Sequence, residues 1–100
     1  MFLTYGGLRR FTKERLESLG EETDAEMRDV INRGLKTGGI KPLAEQLADA
    51  RKLGLKLYAC SGTMAQMNIA RSELSQEVDE VTGSATFLNL ALKAAINWYI

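Results

Sequence analysis

A chain of 100 residues with 13 basic and 13 acidic side chains, one cysteine and no histidine is one small domain, residues 1–100, of zero formal charge. The missing histidine excludes His-based triads and most zinc sites, and the single cysteine excludes an intramolecular disulfide, a CxxC pair and a Cys-only metal cage. The charge balance gives no global pull toward nucleic acid or an anionic membrane, and no stretch approaches the ~20 apolar residues of a membrane span.

Met1–Tyr5 reads as a strand, broken by Gly6-Gly7. Leu8, Phe11, Leu16 and Leu19 then fall near one helical face, with Arg9, Arg10, Lys13, Glu14 and Glu17 elsewhere and Gly20 closing the helix. Thr23 or Asp24 caps a second helix whose apolar face is Met27, Val30, Ile31 and Leu35, stopped by Gly38-Gly39. The charged stretch from Gly20 to Gly39 is expected to pack least tightly. Pro42 opens a third helix with Leu43, Leu47 and Ala50 as its stripe, ended by Leu53 and Gly54.

Leu55–Cys60 follows as a strand directly after that helix, the αβ half of a βαβ unit. Ser61-Gly62-Thr63 reads as a turn into a helix from Met64 to Ile69, followed by a helical turn from Ser72 to Gln76 and a strand over Glu77–Val81. Thr82-Gly83-Ser84 leads into a helix carrying Phe87, Leu88, Ala91, Leu92 and Ala95, and Ile96–Ile100 closes as a strand. Strands alternating with helices predict an α/β fold with a mostly parallel sheet covered on both faces. Apolar residues at both ends of the chain are expected to be tied into that sheet.

In such a sheet, ligands bind beyond the carboxyl ends of the strands. Three strand ends are candidates: Tyr5-Gly6-Gly7, Cys60-Ser61-Gly62-Thr63 and Thr82-Gly83-Ser84. Cys60 is the sharpest feature, because a thiol just before a helix N-terminus is favoured as thiolate, and Ser61 and Thr63 hydroxyls stand ready to donate to sulfur. The plainer reading of Cys60 is a small buried hydrophobe. Met64 and Met67 read as packing residues. Gly83-Ser84 offers a turn for an anionic group, or simply an N-cap by Ser84 or Thr82. Gly6-Gly7 lacks a following phosphate-binding motif, and Arg9 and Arg10 either reach an anion at the same edge or form a solvated face. The carboxylates Glu21, Glu22, Asp24 and Glu26 read as a solvated helix start. The N-terminus has no basic region followed by a long apolar run, and with a lone thiol this predicts the reducing cytoplasm.

Around Cys60 the sequence resembles the DsrE/DsrF-like sulfur-relay family, in the branch labelled DsrE-like or peroxiredoxin-like. That branch carries a PL…A…GVKLYAC…M…MG run. Here it is matched by Pro42-Leu43, Ala50, Gly54-Leu55-Lys56-Leu57-Tyr58-Ala59-Cys60, Met64 and Met67-Asn68-Ile69. The opening Phe2-Leu3-Thr4-Tyr5-Gly6-Gly7-Leu8 resembles the branch's FFTFWGL strand and turn. Gly83–Leu88 and Trp98-Tyr99-Ile100 resemble its later helix start and final strand. Asn68 stands where the family has glycine, and asparagine tolerates left-handed backbone. The resemblance implies a three-layer α/β/α sandwich of about five strands, with the family's first strand and helix missing from this chain. It also implies a homo- or hetero-oligomer, trimeric or hexameric.

In relay members the cysteine matching Cys60 accepts sulfane sulfur as a persulfide and passes it to a partner thiol. The expected function is therefore a sulfur carrier with Cys60 as nucleophile, supported by Ser61, Gly62, Thr63, Gly6, Gly7, Gly83 and Ser84. Sulfur donor and acceptor proteins would be its partners, and it would need no metal or cofactor. The alternative is a non-catalytic ligand-binding or assembly module. A thiol peroxidase fits less well, since Pro42 is remote in sequence from Cys60 and the chain holds no resolving cysteine.

Overall fold

The structure, a computed structural model, describes residues 1–19 and 23–100. Gly20, Glu21 and Glu22 lie outside the described residues, and with them the predicted end of the first helix and two of its neighbouring carboxylates. Three parallel strands, β1 (Phe2–Leu3), β2 (Tyr58–Cys60) and β3 (Glu80–Thr82), lie in the order β1-β2-β3. Phe2 pairs with Tyr58, Leu3 with Ala59, and Cys60 with Thr82. The predicted final strand is present as a parallel bridge between Phe2 and Tyr99 on the other side of β1. Phe2 N–H donates to the Trp98 carbonyl at 2.7 Å, Ile100 N–H donates to the Phe2 carbonyl at 2.9 Å, and Thr4 N–H donates to the Ile100 carbonyl. β1 therefore has a neighbour on each side, and both of its side chains are fully buried. Four strand positions result among the described residues, where the resemblance implied about five.

The layers follow from handedness and from side-chain alternation. The chain advances from β1 to β2 to β3, then returns past both to pair beyond β1. Right-handed crossovers in opposite directions put their helices on opposite faces. Successive strand residues also face opposite ways. Leu3, Leu57 and Ala59 pack with Leu8, Phe11, Leu47, Met64 and Leu74 in one core. On the other face the Phe2 ring stacks on Phe87 with centroids 4.6 Å apart, and Tyr58 and Phe87 are tilted at 5.9 Å. Phe87 belongs to α5 (Ser84–Ala91), which is thus the helix layer opposite the main core. The fold is α/β, with helical layers on both faces of the sheet as expected.

Element boundaries shift for local reasons. The first predicted helix begins earlier and ends sooner: α1 is Tyr5–Arg10, so Gly6 and Gly7 sit in its first turn rather than in a loop. After Arg10 the backbone is drawn into turns by the segment 73–75. Lys13 N–H donates to the Glu73 carbonyl at 2.9 Å, Ser75 N–H donates to the Phe11 carbonyl at 2.8 Å, and Thr12 bridges antiparallel to Leu74. α2 (Ala25–Thr37) is capped by Asp24, whose Oδ1 accepts the Met27 N–H at 2.8 Å, and ends at Gly38 with φ +76°. Both match expectation, and so does the looseness: α2 buries no residue.

In α3 (Leu43–Lys52) Pro42 is the N-cap, and Gly54 just beyond the end takes φ +96°. The strand expected from Leu55 is formed only at Tyr58–Cys60, and the one expected at Glu77–Val81 lies at Glu80–Thr82. α4 (Ser61–Met67) starts three residues earlier than expected, and the turn predicted at Ser72–Gln76 is a short 3-10 turn at Arg71–Glu73. Ala95 lies beyond the end of α5.

Candidate functional site

Because the strands are parallel, their carboxyl ends share one edge, and the three expected segments meet there. Cys60 is the last residue of β2 and the N-cap of α4. The strand stops because Ser61, Gly62 and Thr63 turn at once into helix, which aims their N–H groups back at the cap position. Thr63 N–H donates to Cys60 Sγ at 3.4 Å. Partial burial pushes the Cys60 thiol up. Hydrogen bonds from the Thr63 hydroxyl and from the Thr63 and Gly62 N–H groups outweigh it, and the thiol lies below its ordinary value.

Two glycines stand close to the sulfur and its neighbour. A Cβ on Gly62 would stand 3.8 Å from Cys60 Sγ, and one on Gly83 would stand 3.9 Å from the Ser61 hydroxyl oxygen. Both are ordinary van der Waals distances, so the two positions lie at the site with room for a small side chain. Thr63 is buried, whereas Ser61 and Gly62 are exposed. Gly83 is the N-cap of α5 and Ser84 its first residue. Neither Ser84 nor Thr82 therefore acts as the side-chain cap foreseen, and Thr82 is a buried strand residue.

Gly6 and Gly7 lie at the same edge but do other work. A Cβ on Gly7 would come within 2.8 Å of the Ile100 backbone carbon, so this glycine lets α1 pass the final strand. Arg9 sits in the last turn of α1 and faces a cleft with Ile69 and Ser72, not the strand ends. Met64 is core, as expected.

Tyr5, at one of the candidate strand ends, makes a bond to Gln66 that the sequence does not signal. Tyr5 takes φ +36°, unusual for a side-chain-bearing residue, and its hydroxyl donates to Gln66 Oε1 at 2.8 Å, tying the start of α1 to α4. No periodicity or motif signals a bond between residues 61 positions apart. Among the described residues no cluster of three His, Cys, Asp or Glu side chains is placed to hold a metal ion.

Fold and site together define a small parallel α/β domain with one hydrogen-bonded thiol at the carboxyl edge of its sheet. A model of the DsrE/DsrF/DrsH-like family matches residues 9–99, and the chain belongs to that family. The match takes in Cys60, Asn68 and the final strand. It begins after the opening Phe2–Leu8 segment. No curated protein matches the chain significantly. No helix among the described residues is long and apolar enough to cross a membrane.

Proposed function

We propose that this protein is a sulfur carrier that holds sulfane sulfur on Cys60. One observation carries the reading: the only thiol of a chain in a family associated with sulfur relay caps α4 and accepts the Thr63 N–H. The Cys60 thiolate attacks the outer sulfur of a donor persulfide, R–S–SH. A new S–S bond forms on Cys60 as the donor S–S bond breaks, and the donor leaves as a thiolate. There is no net oxidation and no base is needed, which suits a site without histidine. An acceptor thiolate then repeats the exchange on the terminal sulfur. Gly62 and Thr63 stabilise the charged sulfur, while Ser61, Gly83 and Ser84 shape the approach. Donor and acceptor proteins are the partners this implies, in a cytoplasmic setting that keeps the thiol reduced.

Intact mass after exposure to a sulfane-sulfur donor tests this. The wild type should gain one sulfur atom and return it to an added thiol acceptor, and Cys60→Ser should gain none. A wild type that stays unloaded under conditions that load an established carrier overturns the proposal.

A second reading, a non-catalytic assembly module, draws on one feature. Leu92 (85% exposed), Ile96 (78%) and Trp98 (62%) leave an apolar face uncovered near the final strand. Under that reading Cys60→Ser keeps full biological function. The expected trimer or hexamer is compatible with both.

A further inference from the structure

A cleft of about 370 Å³ lies among the end of α1, the turns that follow it, and the segment after α4. It is lined by Arg9, Lys13, Arg15, Glu14 and Glu73, with Thr12, Ser72 and the apolar Ile69 completing it. The sulfur-carrier reading makes no use of it. Cys60 precedes α4 and Ile69 follows it, so seven helical residues, roughly 10 Å of rise, separate the two sites along that helix.

The cleft's two walls are fixed to each other. The Lys13 N–H bond to Glu73, the Ser75 N–H bond to Phe11 and the Thr12–Leu74 bridge lock the turn against the 3-10 segment. Its cations are unspent. Arg9, Lys13 and Arg15 form no ion pair and no side-chain hydrogen bond among the described residues. Of the two acids, Glu73 is already engaged, its Oε2 accepting the Ala70 N–H at 2.6 Å. Three converging cations against two carboxylates, on walls held by backbone bonds, favour a negative guest. The volume is that of a small-molecule pocket rather than a docking face.

We infer that this cleft binds a small organic anion, a carboxylate or a phosphate ester. The two arginine guanidiniums and Lys13 take its charged group, the Ser72 hydroxyl bonds its polar atoms, and Ile69 meets its carbon body.

Amide NMR titration of the whole chain tests the inference, with succinate and glycerol phosphate as the two probes. Saturable shifts confined to the amides around Thr12, Ile69 and Ser72, weakening as salt is raised, are the expected result. The probe that binds more tightly identifies carboxylate or phosphate as the natural group. Arg9→Gln with Arg15→Gln should weaken binding by about tenfold or more while the rest of the spectrum stays native. Lys36→Gln, on α2, should change nothing. Absence of saturation with either probe, shifts mapping elsewhere, or unchanged binding in the double variant overturns it. So does a polyglutamate peptide that binds where both small anions fail, because that result makes the cleft a protein-docking site. The Cys60→Ser variant should bind both probes normally, so the outcome is independent of sulfur loading.

Discussion

At the scale of single residues, the thiol of Cys60 is governed by Thr63. Burial raises the thiol, and the Thr63 hydroxyl with the Thr63 and Gly62 N–H groups brings it below its ordinary value. A depressed thiol is ionised above its lowered pKa and protonated below it. Alkylation of Cys60 should therefore begin to rise at lower pH than for a free thiol. Thr63→Val keeps the buried shape and the N–H but removes the hydroxyl. The midpoint of the alkylation rate against pH should move upward, whereas Ser61→Ala should leave it in place. An unmoved midpoint in Thr63→Val shows that the backbone N–H groups alone set the charge. Asn68 illustrates the same scale differently. It ends α4 at φ +53°, ψ 42°, a left-handed conformation that costs an ordinary side chain about 1–2 kcal/mol. Asn68→Val should lose about that much stability to denaturant, while Asn68→Gly should be close to neutral. Equal losses in both would point to an unseen role for the amide.

At the scale of elements, Asp79 ties three segments together just before β3. Arg51 at the end of α3 grips it with two N–H groups at 2.8 and 3.2 Å and also donates to the Glu77 carbonyl at 2.8 Å. The Leu57 N–H at the entry to β2 donates to Asp79 Oδ2 at 2.8 Å. Burial pushes the Asp79 carboxyl up, but the Leu57 N–H, the Arg51 guanidinium and the charge of Lys56 hold it below the usual carboxylate range. The stability it contributes is complete above the ordinary carboxylate pKa and is lost as pH falls through the depressed one. Asp79→Asn should cost about 1–3 kcal/mol at neutral pH, and the loss should shrink in acid. Denaturant midpoints at the two pH values check both; a constant difference means the carboxylate charge is not what matters.

This clamp also marks the limit of what a sequence discloses about elements. Asp24, Gly38 and Gly54 are legible because capping and left-handed backbone are local needs, met by residues within a few positions. Cys60 at a strand end is legible for the same reason, as an apolar run broken by Ser-Gly. The early end of α1 is not legible. The 3.6-residue spacing of Leu8, Phe11 and Leu16 does place Leu8 and Phe11 in the core. The turns that replace the helix are imposed by residues 73–75, and no local pattern carries a partner some 60 positions away. The Tyr5–Gln66 bond and the dispersed walls of the basic cleft are hidden for that same reason.

At the scale of the whole molecule, burial is lopsided. The core gathers under α1, α3 and α4, while α2 buries nothing, and Leu88, Leu90, Leu92, Ile96 and Trp98 remain exposed on the α5 side and toward the final strand. Exposed large apolar side chains in that number favour association. Sizing across concentrations should find a species larger than a monomer, and Leu92→Lys with Trp98→Lys should return it to monomer without loss of helical signal. A wild type that is monomeric throughout removes the trimer or hexamer from the proposal.

The pairing of Phe2 and Thr4 with Trp98 and Ile100 has a kinetic consequence. The Thr4 hydroxyl donates to the Ile100 carbonyl across 96 positions of sequence. A central strand thus takes one of its two neighbours from a segment more than 90 positions later in the sequence. Loop closure over such a span grows only logarithmically in cost, but native contacts of this separation slow the search. Until residues 98–100 pair with it, one edge of β1 offers bare backbone donors and acceptors to any passing strand. The folding chain is therefore most vulnerable to mispairing until this long-range pairing forms.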